Sequence, residues 1–475
     1  MLCAAPVWLF KRTGLLTNDG PADSAGGNGY YVPSGNPGSL ASLSMWKASR
    51  FNFWAHAVDQ HLLFNGVSAA MNAVSDEEKP IIVDLLANPA QHPGPDAEPL
   101  CQPLREGGFL IPTDLDENES LLRRSVSECS SAGILELTIA PTYACNFRCS
   151  YCRGTFSSGV MSRSSEDRVL RYISAEIANY SEVHISWFGG EPLICLPTVL
   201  RVSRQMHAVA DSRRVLLRVL ISTNGYLLTL PAALALFDAG IQFFHVTLDG
   251  PASCHDRLRV LTDGGATFSA IVHNLHDLLT HIPGAHVTLR VNVDETTVKF
   301  AGELLEQVSK AFRSRIQVNV ASILKEERRP TIDLYRQINR VARDALNMGY
   351  WYMDTQLSLN RLVFCPADKW NSFHVGPDGS LHKCSPRDDK PEVDVGHIDA
   401  QGLRHLKDTY RAWHGFPQFR RECLACQFLC FCMGGCRLER MRGIVDVSCR
   451  EKYADIENMI INRYIALSNR QLADG

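Results

Sequence analysis

A basic excess is missing from this sequence: 48 Lys and Arg stand against 51 Asp and Glu in 475 residues, so no global charge draws the chain to nucleic acid. No run approaches the roughly 20 apolar residues of a membrane span, which argues against a helical anchor and for a protein that works without a membrane. The start, Met1-Leu-Cys-Ala-Ala-Pro-Val-Trp-Leu-Phe10, has no basic flank before its short apolar stretch and matches a secretory signal poorly. Cysteine is not scarce, at 16 residues, but the pattern of a disulfide scaffold is absent. Such scaffolds are short chains, whereas ten or eleven of these thiols fall into two tight constellations. That pattern implies metal binding in a reducing compartment, and a cytoplasmic location is expected. The length suggests about three domains.

The first constellation is Cys145-Asn-Phe-Arg-Cys149-Ser-Tyr-Cys152, after the alternating run Ile134 to Ala140 and before a Gly/Ser-rich loop. Gaps of three and two residues let one loop wrap three thiolates around a single cluster, leaving one iron of a 4Fe-4S cube without a protein ligand. A zinc knuckle or reduced core cysteines are the other readings of the triplet, although zinc normally takes four N/S ligands and no His follows at the usual spacing.

From Ile134 onward the pattern predicts six strand–helix repeats, with strands near 134–140, 183–188, 215–221, 241–248, 286–293 and 315–321. The first crossover helix is expected to start at Ser164/Ser165 and to carry Val169, Ile173 and Ile177 on one face. Regular alternation means a parallel sheet with crossover helices. Six units are too few for an eight-fold barrel, so a partial (β/α)6 barrel is expected, with its chemistry at the C-terminal ends of the strands. The cysteine loop leaves the first strand at that end. The second strand ends in Gly189-Gly190-Glu191, where absent side chains let backbone carbonyls approach a ligand and a carboxylate adds charge suited to an ammonium group. The third ends in Ile221-Ser-Thr-Asn-Gly-Tyr226 and the fourth in Val246-Thr-Leu-Asp-Gly-Pro251, followed by His255-Asp-Arg-Leu-Arg259. Taken singly, each of these ends reads as a turn.

The second constellation is Cys365, Cys384, then Cys423-x2-Cys426-x5-Cys432-x3-Cys436, and last Cys449. Spacing alone also fits a zinc ribbon.

In their order, the Cys-x3-Cys-x2-Cys step and the strand-end motifs resemble the radical S-adenosylmethionine (SAM) enzymes, and the seven later cysteines resemble the SPASM extension of radical SAM peptide maturases. The resemblance covers roughly two thirds of the chain. It implies an α/β fold: a partial radical SAM barrel, a C-terminal cysteine-rich SPASM domain and a small N-terminal α+β module. It implies SAM and three 4Fe-4S clusters as cofactors. Cys145, Cys149 and Cys152 would hold the first cluster, Cys423, Cys426, Cys432 and Cys449 an outer auxiliary cluster, and Cys365, Cys384 and Cys436 an inner one. Sulfatase-maturing relatives carry a further cysteine shortly after the first of these, but between Cys365 and Cys384 there is none, which leaves the inner cluster with an open iron. Cys430 is an extra thiol within the block. For SAM, Gly189, Gly190 and Glu191 would hold the amino group, Thr247 and Arg259 would contact the ribose and carboxylate, Tyr151 would lie near the adenine, and Ser222 and Asn224 would add contacts. No residue is assigned as a catalytic acid or base.

The activity implied is that of a radical SAM oxidoreductase which uses a 5'-deoxyadenosyl radical to install an intramolecular crosslink in a ribosomally made precursor peptide. The link would be a thioether, or carbon–carbon or carbon–oxygen, and a flavodoxin or ferredoxin would supply electrons. One alternative is an anaerobic sulfatase maturase, which oxidises a Ser or Cys of a protein. Those relatives carry an Asp directly after the second SPASM cysteine as the base, and Ser385 in its place disfavours that reading. A non-catalytic metal-binding partner module is the other alternative.

The expected domains are a disordered arm over 1–44, a small α+β module over 45–128, the radical SAM barrel over 129–330, a helical linker over 331–359, the SPASM domain over 360–455 and a C-terminal helix over 456–475. In the module, two strand-like runs over 49–74 precede a helix start at Ser75. It loosely resembles a leader-peptide recognition element with an exposed strand edge that pairs with a peptide, although the stretch before Leu104 reads as too short and Pro-rich for the full set of helices. A structural cap on the barrel is the competing reading.

Overall fold

The computed structural model describes residues 45–57, 60–91, 98–131, 133–154, 156–323, 330–353, 362–385, 391–443 and 453–474. The arm expected over 1–44, and Cys449, lie outside these residues. The chain divides between Ser120 and Leu121 into two units.

The first unit contains β1 (Trp46–Ala48), β2 (Asn52–Ala57), β3 (Gln60–Asn65), β4 (Met71–Val74) and β5 (Leu110–Pro112). Strands β2, β3 and β4 form an antiparallel meander, and β1 pairs with β5. The second strand-like run is split by a turn. The Asn65 side chain accepts the N–H groups of Val67 and Ser68 at 3.0 and 2.9 Å, and Ala69 adopts a left-handed φ of 63°, so β3 and β4 fold back on each other. Helices Glu78–Ala87, Glu98–Glu106 and Glu117–Ser130 follow. The Pro-rich stretch thus carries a helix after all, with Pro103 inside it and Leu104 buried with Leu63, Ile82 and Phe109. Burial of that face outweighs the intrinsic cost of proline.

In the second unit, β6 (Ile134–Ile139), β7 (Phe147–Cys149), β8 (Glu182–Trp187), β9 (Leu216–Thr223), β10 (Ile241–Thr247), β11 (Arg259–Leu261), β12 (His286–Val293), β13 (Ile316–Ser322) and β14 (Trp351–Tyr352) precede β15 (Ser372–Val375), β16 (Ser380–His382), β17 (Asp394–Ile398) and β18 (Arg404–Leu406). The six expected strands are β6, β8, β9, β10, β12 and β13, each parallel to the next. Leu135, Leu137 and Ile139 of β6 and Val287, Leu289, Val291 and Val293 of β12 belong to the core, while the residues between them are less buried. Helix Arg163–Glu176 buries Val169 and Ile173, and Ile177 beyond it is also fully buried. Its cap is Ser162, not Ser164/Ser165: Ser162 is extended and its Oγ accepts the Ser165 N–H at 3.2 Å.

Two pairings were not announced by the alternation. Strand β14 adds a parallel partner to β13. Strand β15, from the cysteine-rich region, pairs in parallel with β6, Ser372 opposite Glu136 through Val375 opposite Ile139, and β16, β17 and β18 continue antiparallel. Among the described residues no helix is long and apolar enough to cross a membrane.

Candidate cofactor site and cysteine clusters

The cysteine loop is held from both sides. Thr142 is buried; its Oγ1 accepts the Ala144 N–H at 3.0 Å and donates to the Gly159 carbonyl at 2.8 Å. From β8, Gly190 N–H donates to the Thr142 carbonyl at 3.0 Å and Glu191 N–H to the Ala144 carbonyl at 2.9 Å. A Cβ on Gly189, where φ is 122°, would sit 2.3 Å from the Thr142 oxygen, and one on Gly190 would sit 2.1 Å from the Ala144 oxygen. The glycine pair therefore permits the end of β8 to lie directly on the loop backbone. Gly190→Ala is expected to cost about 1–3 kcal/mol by overpacking and to lower iron uptake. Thermal denaturation and iron analysis check this, and unchanged values of both remove the role. Beyond the loop's first cysteine, β7 pairs antiparallel with β11, Cys149 opposite Arg259.

Glu191 is fully buried. Its carboxylate accepts from Leu193 N–H at 3.0 Å, Thr223 Oγ1 at 2.7 Å and Asn224 N–H at 2.7 Å. Burial pushes its pKa up against the pull of these donors. The carboxylate is thus turned inward, tying the end of β8 to the end of β9, while Gly189 and Gly190 face the cavity beside Cys145 and Cys152. Asn224 Nδ2 donates to Asn146 Oδ1 at 2.8 Å, joining the third strand end to the cysteine loop. Ser222 Oγ lies 3.4 Å from His245 Nδ1, and Thr247 stands in register with Arg290.

Tyr151 and Arg259 meet in a buried network that also contains Asp249 and Asn292. The Tyr151 hydroxyl donates to Asp249 Oδ2 in a short hydrogen bond and accepts from Arg259 Nη1 at 2.7 Å. Arg259 and Asp249 form an ion pair at 3.5 Å with side chains 7% and 0% exposed. Asp249 Oδ1 accepts the Asn292 N–H at 2.7 Å, which locks the fourth and fifth strand ends together. Burial drives the Tyr151 pKa up, against the pull of Arg259. Asp249 and Asn292 escaped the sequence reading; the position of Asp249 at a strand end was the available signal.

The three thiols of the loop suit a cluster ligand set. Phe147 N–H donates to Cys145 Sγ and Gly154 N–H to Cys152 Sγ, each at 3.4 Å, the bonds a ligating thiolate accepts. Burial pushes the Cys149 thiol up to about 11 and raises Cys145 as well, and the three thiols feel each other's charge. Bare thiolates at Cys145 and Cys149 are therefore unfavourable at neutral pH, and a metal centre that takes the place of the protons stabilises them. No group of three or more His, Cys, Asp or Glu among the described residues is gathered tightly enough for a single ion.

In the second constellation, Cys365, Cys384 and Cys436 pack against one apolar patch with Ala367, Val393, Trp413 and Leu438. Asp368 and Arg437 weld this patch. They form a buried ion pair at 2.9 Å, Asp368 Oδ2 accepts the Cys365 N–H at 3.3 Å, and Arg437 Nη1 donates to the Trp413 carbonyl at 2.9 Å. Cys423 and Cys426 lie on and just after the short helix Arg421–Ala425, with Cys426 N–H bonded to the Cys423 carbonyl at 3.0 Å. Cys432 ends the turn Leu429–Cys432. Buried Arg440 lies within electrostatic reach of both Cys423 and Cys436. Cys430 is buried, with its Sγ 3.7 Å from the Gln427 carbonyl.

A profile of the radical SAM superfamily matches residues 139–299. The chain carries a radical SAM domain. The chain is 24% identical over 329 residues to the serine-type anaerobic sulfatase-maturating enzyme of Klebsiella aerogenes, covering 64% of this chain and 79% of that one. It is 33% identical over 119 residues to the AdoMet-dependent heme synthase of Methanosarcina barkeri, covering 25% of this chain and only 32% of the synthase. The solved structure "Native anSMEcpe with bound AdoMet and Cp18Cys peptide" shares the fold, with a TM-score of 0.56 at 18% identity over 70% of this chain and 99% of that one. The superfamily implies SAM and a 4Fe-4S cluster, and the loop of Cys145, Cys149 and Cys152 fits them.

Proposed function

We propose that this radical SAM enzyme matures a ribosomally made precursor peptide by forming an intramolecular crosslink. The observation that carries the reading is the cavity beside the cysteine loop: Cys145 and Cys152 line it together with Ser385, the residue that directly follows Cys384 of the second constellation. An auxiliary iron–sulfur site so near the radical site suits removal of the surplus electron that bond formation leaves on a substrate. Cys365, Cys384 and Cys436 would hold an inner cluster, and Cys423, Cys426, Cys432 and Cys449 an outer one, each of the 4Fe-4S type.

Cys145, Cys149 and Cys152 would hold the cluster and its bound SAM, which, given one electron from a flavodoxin or ferredoxin, would supply methionine and a 5'-deoxyadenosyl radical able to take a hydrogen atom from an unactivated carbon. The chain's own residues bind, orient and exclude water. Gly189 and Gly190 offer backbone to the amino group, and the inward carboxylate of Glu191 fixes that backbone. Arg259 offers its cation to the carboxylate, held in place by Asp249 and Tyr151. Ser222, Asn224 and Thr247 line the strand ends, and Phe156 and Phe188 add apolar wall to the cavity.

In the N-terminal unit, the meander of β2, β3 and β4 followed by three helices supports a leader-peptide recognition role, because an outer strand of a three-stranded sheet offers unpaired backbone groups to an extended peptide. A second reading, oxidation of a Ser or Cys of a protein substrate, is favoured by the similarity to the sulfatase-maturating enzyme and weakened by Ser385.

The deciding measurement is the intact mass of the short peptide encoded beside this gene after co-expression, with and without thiol alkylation. Loss of a pair of hydrogens per link with cysteines no longer alkylatable indicates a thioether, and the same loss with free thiols indicates a carbon–carbon or carbon–oxygen bond. Cys365→Ala is expected to abolish the crosslink while leaving SAM cleavage largely intact. An unchanged peptide despite SAM cleavage overturns the reading and turns attention to sulfatase-derived serine peptides.

A further inference from the structure

Among the described residues, four side chains on the wall of this cavity can titrate: Cys145, Cys152, Tyr143 and His374. The two thiols belong to the loop that suits a cluster. Burial drives the Tyr143 pKa up, so it keeps its proton throughout the physiological range. His374 differs. It stands on β15 opposite Thr138 of β6, it is partly exposed, and among the described residues its ring makes no hydrogen bond. Burial, with a smaller push from His382 on β16, holds its pKa down at about 4. At neutral pH it is an uncharged base with a free lone pair, about as basic as an ordinary carboxylate. Ser385 lines the same cavity, so the position that carries an Asp in the sulfatase-maturing relatives and the imidazole of β15 open onto one space.

We propose that His374 is the base that receives the proton released when the substrate forms its new bond, taking the part that a carboxylate at position 385 would play. This rests on the peptide-maturase reading. The step balances as follows. The substrate carbon gives its hydrogen atom to the 5'-deoxyadenosyl radical. That carbon then bonds to a partner atom as the partner's bond to hydrogen breaks. The proton goes to an imidazole nitrogen of His374, and one electron goes to an oxidised iron–sulfur acceptor. The peptide has lost two hydrogens in all.

The test uses the reconstituted full chain with the co-encoded precursor peptide, measuring 5'-deoxyadenosine and crosslinked product separately. His374→Gln is expected to keep forming 5'-deoxyadenosine while product falls by about 10²–10⁴-fold, the usual worth of a positioned general base. The double variant His374→Gln/Ser385→Asp is expected to recover product, because a carboxylate re-enters the same cavity. NMR titration of the cofactor-free protein is expected to find the His374 ring neutral down to about pH 4, in surroundings that hold His382, Tyr143, Cys145 and Cys152. Wild-type product in His374→Gln overturns the proposal. So does equal loss of 5'-deoxyadenosine and product without recovery in the double variant, which is the mark of a structural role. Wild-type enzyme that cleaves SAM but leaves the peptide unchanged overturns the maturase reading itself, an outcome separable from any effect of His374.

Discussion

Asp368→Ala is expected to destabilise the cysteine-rich region by about 3–5 kcal/mol, the usual consequence of leaving one member of a buried ion pair without its partner. Arg437 and Asp368 have side chains only 4% and 1% exposed, so water cannot solvate the guanidinium left behind. Arg437 would keep its bonds to the Trp413 carbonyl and the Gln418 amide, but lose the carboxylate it meets at 2.9 Å. The loss reaches the cysteines proposed to hold the inner cluster, because Asp368 also accepts the Cys365 N–H and Cys436 directly precedes Arg437. Iron content should therefore fall along with stability. Urea denaturation and iron analysis measure both. The double variant Asp368→Leu/Arg437→Met should recover much of the stability, since an apolar pair of similar volume replaces the charges, yet should not restore iron, since the Cys365 N–H still lacks its acceptor. A single variant as stable as the wild type sinks the argument.

Cys149→Ala is expected to bring reductive SAM cleavage below detection while leaving the fold intact. The thiol is one of three in the loop, and its backbone, not its sulfur, makes the β7–β11 pairing with Arg259. Alanine keeps that pairing, and the buried Phe147 beside it still anchors the loop. Circular dichroism should be unchanged, and iron should drop by the loop cluster alone. Persistent cleavage in the variant would remove Cys149 from the ligand set.

Much of the barrel was legible because its strands are short apolar runs separated by helical periodicity, a local signal. The β6, β8, β9, β10, β12 and β13 boundaries fall within a residue or two of the expected ones. The cysteine loop was legible for the same reason: three ligands within eight residues depend on no distant contact. The N-terminal unit was less so. A strand-like run from His61 to Val74 hides a turn made by the Asn65 side chain and the left-handed Ala69, and a proline-rich helix is decided by what it buries.

The role of Glu191 shows the other limit. Its place after two glycines suggested a carboxylate for an ammonium group, but the donors that meet it come from Leu193, Thr223 and Asn224, two of them on another strand end. A motif names residue types; which way a side chain turns depends on neighbours far along the chain. The Asp249–Tyr151–Arg259–Asn292 network spans 141 positions of sequence and has no local signature.

The sequence by itself determined the radical SAM barrel, the cysteine loop and the two cysteine constellations, because strand periodicity and cysteine spacing act over a few residues. Only the tertiary structure decided that β15 lies against β6, that Cys365, Cys384 and Cys436 share one apolar patch around the Asp368–Arg437 pair, and that His374 and Ser385 open onto the cavity of Cys145 and Cys152. Those juxtapositions are set by strand register between residues more than two hundred positions apart, as for Ser372 and Glu136, and by burial of a charge pair whose members stand 69 positions apart.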